Sequence, residues 1–153
     1  QYTAIDEFSG LRFVYGYEEH STYSSADFLI RAVKWHKRRG VKIECVQTDN
    51  GPEFTTRFVR GLTEKPTLFQ TTAARLGIYH KLIKPYTPRH NGKVERSHRE
   101  DHNKFYSCHS FSSCGDLNKQ LKVHLAQSNH RPMRPLGWLS PVEFLSNYRV
   151  QNH

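Results

Sequence analysis

The order of apolar runs constrains this chain more than any other feature. Residues 1–17 read as two strands around a turn. Tyr2, Ala4 and Asp6 alternate with Thr3 and Ile5, and Leu11, Phe13, Tyr15 and Tyr17 alternate with Arg12, Val14 and Gly16. Ser9-Gly10 supplies the turn, because glycine accepts positive φ. A helical spacing follows, with Ala26, Leu29, Ile30 and Val33 at i, i+3, i+4 and i+7. Thr22, Ser24 or Ser25 is its candidate cap, and Gly40 its stop behind Lys37-Arg38-Arg39. Val41–Val46 is then a third, mostly apolar strand. Strand, helix, strand in that order predicts a crossover unit with a parallel pairing, and so an α/β architecture.

The same reading carries to the end of the chain. Residues 55–66 read as a loop or short helical turn, Leu68–Leu76 as a helix ended by Gly77, and Ile78–Ile83 as a fourth strand. Pro85–Gly92, with two prolines and a glycine, is a loop. Helices are expected over Lys93–Tyr106 and Asp116–Ser128, the second with Leu117, Leu121, His124 and Leu125 on one face. Ser140-Pro141-Val142-Glu143 has the spacing of a capping box with proline at the first helical position.

Composition narrows the function. At 153 residues the chain fits one domain with a core of its own. No stretch approaches the ~18 uninterrupted apolar residues of a membrane span. Lys and Arg number 23 against 14 Asp and Glu, a formal charge of +9, and a domain that basic usually meets a polyanion. The three cysteines, Cys45, Cys108 and Cys114, form no CxxC. Cys45 is expected in a buried strand, which favours a reducing cytoplasm over a disulfide scaffold. Gln1 opens inside a strand-like run, with the look of a piece of a longer protein.

Two segments carry the chemistry. In Thr48-Asp49-Asn50-Gly51-Pro52-Glu53-Phe54, Asp49 ends an apolar strand, the place where α/β sheets present ligand-binding side chains, and Asn50-Gly51 turns the chain away. Asp-Asn-Gly is also an ordinary turn tripeptide. In the second segment, from Pro85 to Arg96, Glu95 stands on the first turn of a helix, where the helix dipole by itself favours an acid. Around it, Lys81, Lys84, Arg89, Lys93, Arg96, Arg99 and Lys104 outnumber Glu95, Glu100 and Asp101. That balance suits a carboxylate brought against a phosphate backbone. Tyr86 is placed either to stack on a base or to pack its own loop. Two carboxylates on a basic surface match two-metal phosphoryl transfer, in which divalent ions activate the attacking oxygen and stabilise the leaving one.

These segments resemble the DDE transposase and retroviral-integrase catalytic core. Thr-Asp-Asn-Gly-x-Glu-Phe is similar to that family's second-acid motif. Lys-Pro-Tyr-Thr-Pro-x-x-Asn-Gly-Lys-Val-Glu-Arg is similar to its third-acid motif, especially in bacterial insertion-sequence transposases. Ala4–Ser9 resembles the strand and turn after the first acid, and Asn129-His130-Arg131-Pro132 with Ser140–Phe144 resembles the closing segment. The resemblance implies a ribonuclease-H-like α/β fold, a mixed central sheet flanked by helices, with residues 1–153 as one catalytic core domain, partial at its N-terminus. It implies Asp49 and Glu95 as catalytic metal ligands and Mg²⁺ or Mn²⁺ as cofactor. Lys84, Tyr86, Arg89, Lys93, Arg96 and Arg99 become DNA contacts, with Lys93 and Arg96 the nearest to Glu95. The activity implied is cleavage at transposon ends and strand transfer into target DNA, by a homo-oligomer in the bacterial cytoplasm at the nucleoid, away from any membrane.

The family's first acid falls before Gln1. Asp6 matches the following turn instead, so this piece is expected to be inactive by itself. Forty-five residues lie between Asp49 and Glu95, a longer spacing than is usual in the family, which a grown loop over 55–70 accommodates at little cost. Two alternatives stay open: a ribonuclease-H-like nuclease without joining activity, and a catalytically incomplete DNA-binding or assembly domain. His98 and His102, with Cys108, His109 and Cys114, invite zinc, although no known zinc spacing joins them.

Overall fold

A computed structural model describes residues 1–57, 65–84 and 92–152. Four strands and five α-helices are found there, with two short 3-10 turns at Tyr106–Cys108 and Arg134–Leu136: β1 (Tyr2–Ile5), β2 (Arg12–Tyr15), α1 (Thr22–Lys37), β3 (Cys45–Thr48), α2 (Leu68–Arg75), β4 (Tyr79–Leu82), α3 (Gly92–Lys104), α4 (Cys114–Asn129) and α5 (Pro141–Gln151). Their contacts group them into two compact units. One comprises Gln1, residues 3–16 and residues 96–153; the other comprises Tyr2 and residues 17–95.

In the first unit β1 and β2 pair across a turn that Asp6 organises. The Asp6 carboxylate accepts from the Ser9 backbone N–H at 2.9 Å and from the Ser9 hydroxyl at 2.5 Å, while Gly10 takes a φ of 71°. Asp6 is thus a turn residue, as its place in the sequence suggests. β2 was expected to alternate, yet Leu11, Arg12, Phe13 and Val14 are all buried. Its backbone is completed by side chains of α4. Asn129 donates to the Arg12 carbonyl at 2.8 Å and accepts from the Arg12 N–H at 3.0 Å; Asn118 does the same for Gly16, at 2.9 and 2.8 Å. Residues eleven apart fall on nearly the same face of a helix, so α4 stands in for a neighbouring strand.

The second unit holds an apolar core of Leu29, Phe69, Ala73 and Ile78, with Val33, Ile43, Val46 and Phe54 packed against it. β3 and β4 run parallel, with Cys45 opposite Tyr79 and Thr48 opposite Leu82. A parallel crossover therefore runs β3–α2–β4 within this unit. Among the described residues β1 pairs with β2 and β3 with β4. β3 begins only at Cys45, and Cys45 is exposed, so the buried Val41–Val46 strand is corrected. The cap of α1 is Ser21, whose hydroxyl accepts from the Ser24 N–H; none of the three expected candidates fills that role. α2 starts with a capping box of Thr67 and Gln70, and α5 with the expected one of Ser140 and Glu143.

Candidate functional site

β3 delivers Asp49 to its exit. The Ile83 N–H donates to the Thr48 carbonyl at 2.9 Å, and the Asn50 amide donates to the Ile83 carbonyl at 3.0 Å. These bonds bring the end of β3 beside the end of β4, so Asp49 and the Ile83-Lys84 exit share one edge. Asp49 and Lys84 are both exposed. The Asp49 carboxylate accepts from the Gly51 N–H at 3.0 Å, which orients it without burying it. Asn50 Oδ1 is buried and has no hydrogen-bond partner among the described residues.

Sequence reasoning assigned Glu53 no role, yet with Asp101 it is one of two buried acids among the described residues. At 7% exposed it lies under the Asp49 turn, with Oε1 3.1 Å from Nε2 of His20. The His20 ring stacks on Tyr2, centroids 5.1 Å apart and 2° from parallel. Burial first, and then the charge of Glu53, push the Tyr2 phenol up to about 12, with Asp49 adding to the effect.

Glu95 stands exposed in the first turn of α3, and Asp49 and Glu95 belong to the same compact unit. Lys93, Arg96 and Arg99 are exposed along that helix, with Arg96 3.8 Å from Glu100. Tyr86 and Arg89, like the Pro85–Asn91 part of the loop, lie outside the described residues.

α3 buries only Ser97 and Asp101, not an apolar stripe. Asp101 meets Arg12 in a bidentate pair at 2.5 and 3.1 Å and accepts from His124 at 2.9 Å; Ser97 completes the cluster by accepting from Arg12. Burial works to raise the Asp101 pKa, but hydrogen bonds from His124 and Arg12, with the Arg12 charge, hold it at about 2. The composition of α3, rich in charge and poor in apolar residues, was the available signal that something other than packing anchors it.

Both candidate acids offer hard oxygen donors, the set that suits Mg²⁺ or Mn²⁺, which retain waters and accept phosphate oxygens as further ligands. Among the described residues no group of three or more His, Cys, Asp and Glu gathers to hold one ion. His98, His102, Cys108, His109 and Cys114 accordingly form no such group. His98 bonds Thr3 at 3.1 Å and His109 bonds the Phe105 carbonyl at 2.9 Å. Among the described residues no helix is long and apolar enough to cross a membrane.

Comparison with known proteins bears on this arrangement. One Integrase core domain family matches residues 1–88, and a second of the same description matches residues 76–141. A protein of Spiroplasma virus SpV1-C74 named as integrase ORF3 is 29% identical over 161 residues, spanning 95% of this chain and 41% of that protein. The uncharacterized 39.2 kDa protein of insertion element IS476 from Xanthomonas euvesicatoria is 32% identical over 109 residues, 69% of this chain and 28% of its own length. The chain thus spans less than half the length of these relatives. Among solved structures, the catalytic core domain of BIV integrase aligns with a TM-score of 0.66 at 20% identity, covering 99% of this chain and 88% of that one. A chain of the simian T-cell lymphotropic virus intasome, solved in complex with the PP2A regulatory subunit B56 gamma, aligns at 0.63 and 23% identity, covering 82% and 40%. At such identities the likeness speaks for the fold, which is ribonuclease-H-like.

Proposed function

This chain belongs to the integrase core domain family, and we propose that it is the DDE-type catalytic core of a DNA transposase, residues 1–153 acting as one domain. Asp49 and Glu95 serve as its second and third metal ligands. The observation that carries the reading is the exit of β3. An exposed carboxylate is held there by its own turn, at the end of a parallel strand where α/β folds bind ligands. Mg²⁺ or Mn²⁺, when bound, supplies the charge that activates an attacking oxygen and stabilises the leaving 3′ oxygen.

The chain's own residues do the rest. The Gly51 N–H fixes the Asp49 carboxylate. Glu95, on the first turn of α3, brings a second carboxylate on a rigid element. Lys84, Tyr86, Arg89, Lys93, Arg96 and Arg99 grip the DNA backbone and set its register. The reaction class is cleavage at transposon ends and strand transfer to target DNA, carried out by an oligomer that handles two ends together in the bacterial cytoplasm at the nucleoid.

Because the reading claims two carboxylates in this chain, its direct readout is metal binding. Mn²⁺ titration followed by electron paramagnetic resonance should show a bound ion in the wild type. Asp49→Asn and Glu95→Gln should each weaken it by an order of magnitude or more. Equal Mn²⁺ binding in all three proteins would remove the two-acid assignment. DNA binding that persists without any metal site would instead favour an assembly domain.

A further inference from the structure

We infer that Glu53, held by His20, is a positioning residue for Asp49, acting through the Asn50-Gly51 turn. The inference rests on the reading of Asp49 as a metal ligand and adds to it a second carboxylate that never meets the ion.

An acid two residues beyond a surface turn ordinarily points into water. Glu53 does the opposite. Its carboxylate fills the space a side chain at position 51 would need: a Cβ on Gly51 would stand 2.6 Å from Oε2, 2.9 Å from Cδ and 3.0 Å from Oε1. The approach at Gly51 is to the carboxylate end of the Glu53 side chain and not to backbone, and Gly51 is not among the positive-φ glycines. Gly51 is also the residue whose N–H orients Asp49. Its carbonyl accepts from the N–H groups of Phe54 and Thr55 at 3.0 and 3.1 Å, which closes the turn back onto Glu53.

The rest of the turn is equally tied down. The Ser25 hydroxyl donates to the Glu53 carbonyl at 3.3 Å, and the Thr67 hydroxyl to the Phe54 carbonyl at 3.1 Å. Thus α1 and the cap of α2 both grip the segment after Asp49. The remaining freedom is the Glu53 side chain, and His20 removes it. That imidazole is itself fixed by its stack on Tyr2, whose hydroxyl bonds the Ser21 carbonyl at 3.3 Å. A chain of contacts therefore runs from Tyr2 through His20 and Glu53 to Gly51 and ends on the Asp49 carboxylate. Outer groups of this kind hold a ligand in its binding geometry, and losing one typically costs about 10- to 100-fold in metal affinity.

The test is Mn²⁺ titration of the whole chain by electron paramagnetic resonance, alongside the amide resonance of Gly51 recorded without metal. Asp49→Asn is the control. Glu53→Ala should weaken Mn²⁺ binding roughly 10- to 100-fold and shift the Gly51 amide away from its hydrogen-bonded position. Glu53→Gln keeps the shape and an acceptor for His20, and should restore most of the affinity and the resonance. His20→Ala, at an exposed residue that leaves folding intact, should move both readouts in the same direction by less. If Glu53→Ala does not fold, the Glu53→Gln and His20→Ala pair decides. Unchanged affinity and an unmoved Gly51 amide in His20→Ala, with Asp49→Asn still losing the ion, would overturn the positioning role and leave the metal site standing. Glu53→Gln as weak as Glu53→Ala would overturn it in favour of a pure charge effect. Full Mn²⁺ binding in Asp49→Asn would instead bring down the metal-site reading beneath it.

Discussion

The strand that presents Asp49 and the helix that presents Glu95 rest on different kinds of foundation. Beneath β3 lie Leu29, Phe69, Ala73 and Ile78, an apolar cluster of the sort a pattern of hydrophobic residues announces. Beneath α3 lies a buried ion pair, Arg12 with Asp101, bonded on to Ser97 and His124. An apolar foundation is non-directional and tolerates repacking. A buried charge cluster holds only while every partner is present, and its loss strands a charge in a dry place. The two acids of the candidate site are thus positioned by opposite strategies, and each strategy fails in its own way.

The sharpest way to break the apolar side is Phe69→Ala. It should cost about 4 kcal/mol through lost burial and a cavity, read as a lowered urea midpoint. On the polar side, Asp101→Ala should cost about 3 kcal/mol by leaving the Arg12 guanidinium buried without its partner. The double variant Arg12→Met with Asp101→Leu should recover most of that loss in the same urea titration. No recovery would mean that the pair does more than satisfy itself.

Acid should separate the two foundations next. The folded Asp101 pKa of about 2 lies below its ordinary 3.8. Its contribution is therefore fully present above about pH 4 and is lost as pH falls toward 2, on the order of 2 kcal/mol. Wild-type stability measured across that window should fall, and the Arg12→Met, Asp101→Leu variant should fall less. The smallest effect belongs to the cap of α2, where Thr67→Ala should cost about 1 kcal/mol, seen as a small drop in Tm.

Much of the architecture was legible because periodicity records burial. The helical spacing of Ala26, Leu29 and Val33, the Ser140-Pro141-Val142-Glu143 cap and the glycine stops at 40 and 77 all appear where local rules place them. The Asp49 turn and the first-turn position of Glu95 were legible for the same reason. What misled was any inference from one strand to its neighbour. Val41–Val46 reads as a buried strand, but the ladder starts at Cys45 and pairs with β4, because pairing is decided by which edge is available and not by the apolar run. The support of β2 by Asn118 and Asn129 left only a faint mark, two asparagines eleven apart beside the leucine stripe of α4.

The sequence by itself determined the element types, the basic surface and the two candidate acids, since each depends on residues close together in the chain. Only the tertiary structure decided what holds those acids in place. Glu53 under Gly51 looks like any surface acid until His20, 33 residues earlier, closes on it. Asp101 looks like one more charge on a helix until Arg12, 89 residues away, meets it in the interior. A charge is costly to bury alone and stable when paired, so its role is set by a partner whose distance along the chain carries no information about its nearness in space.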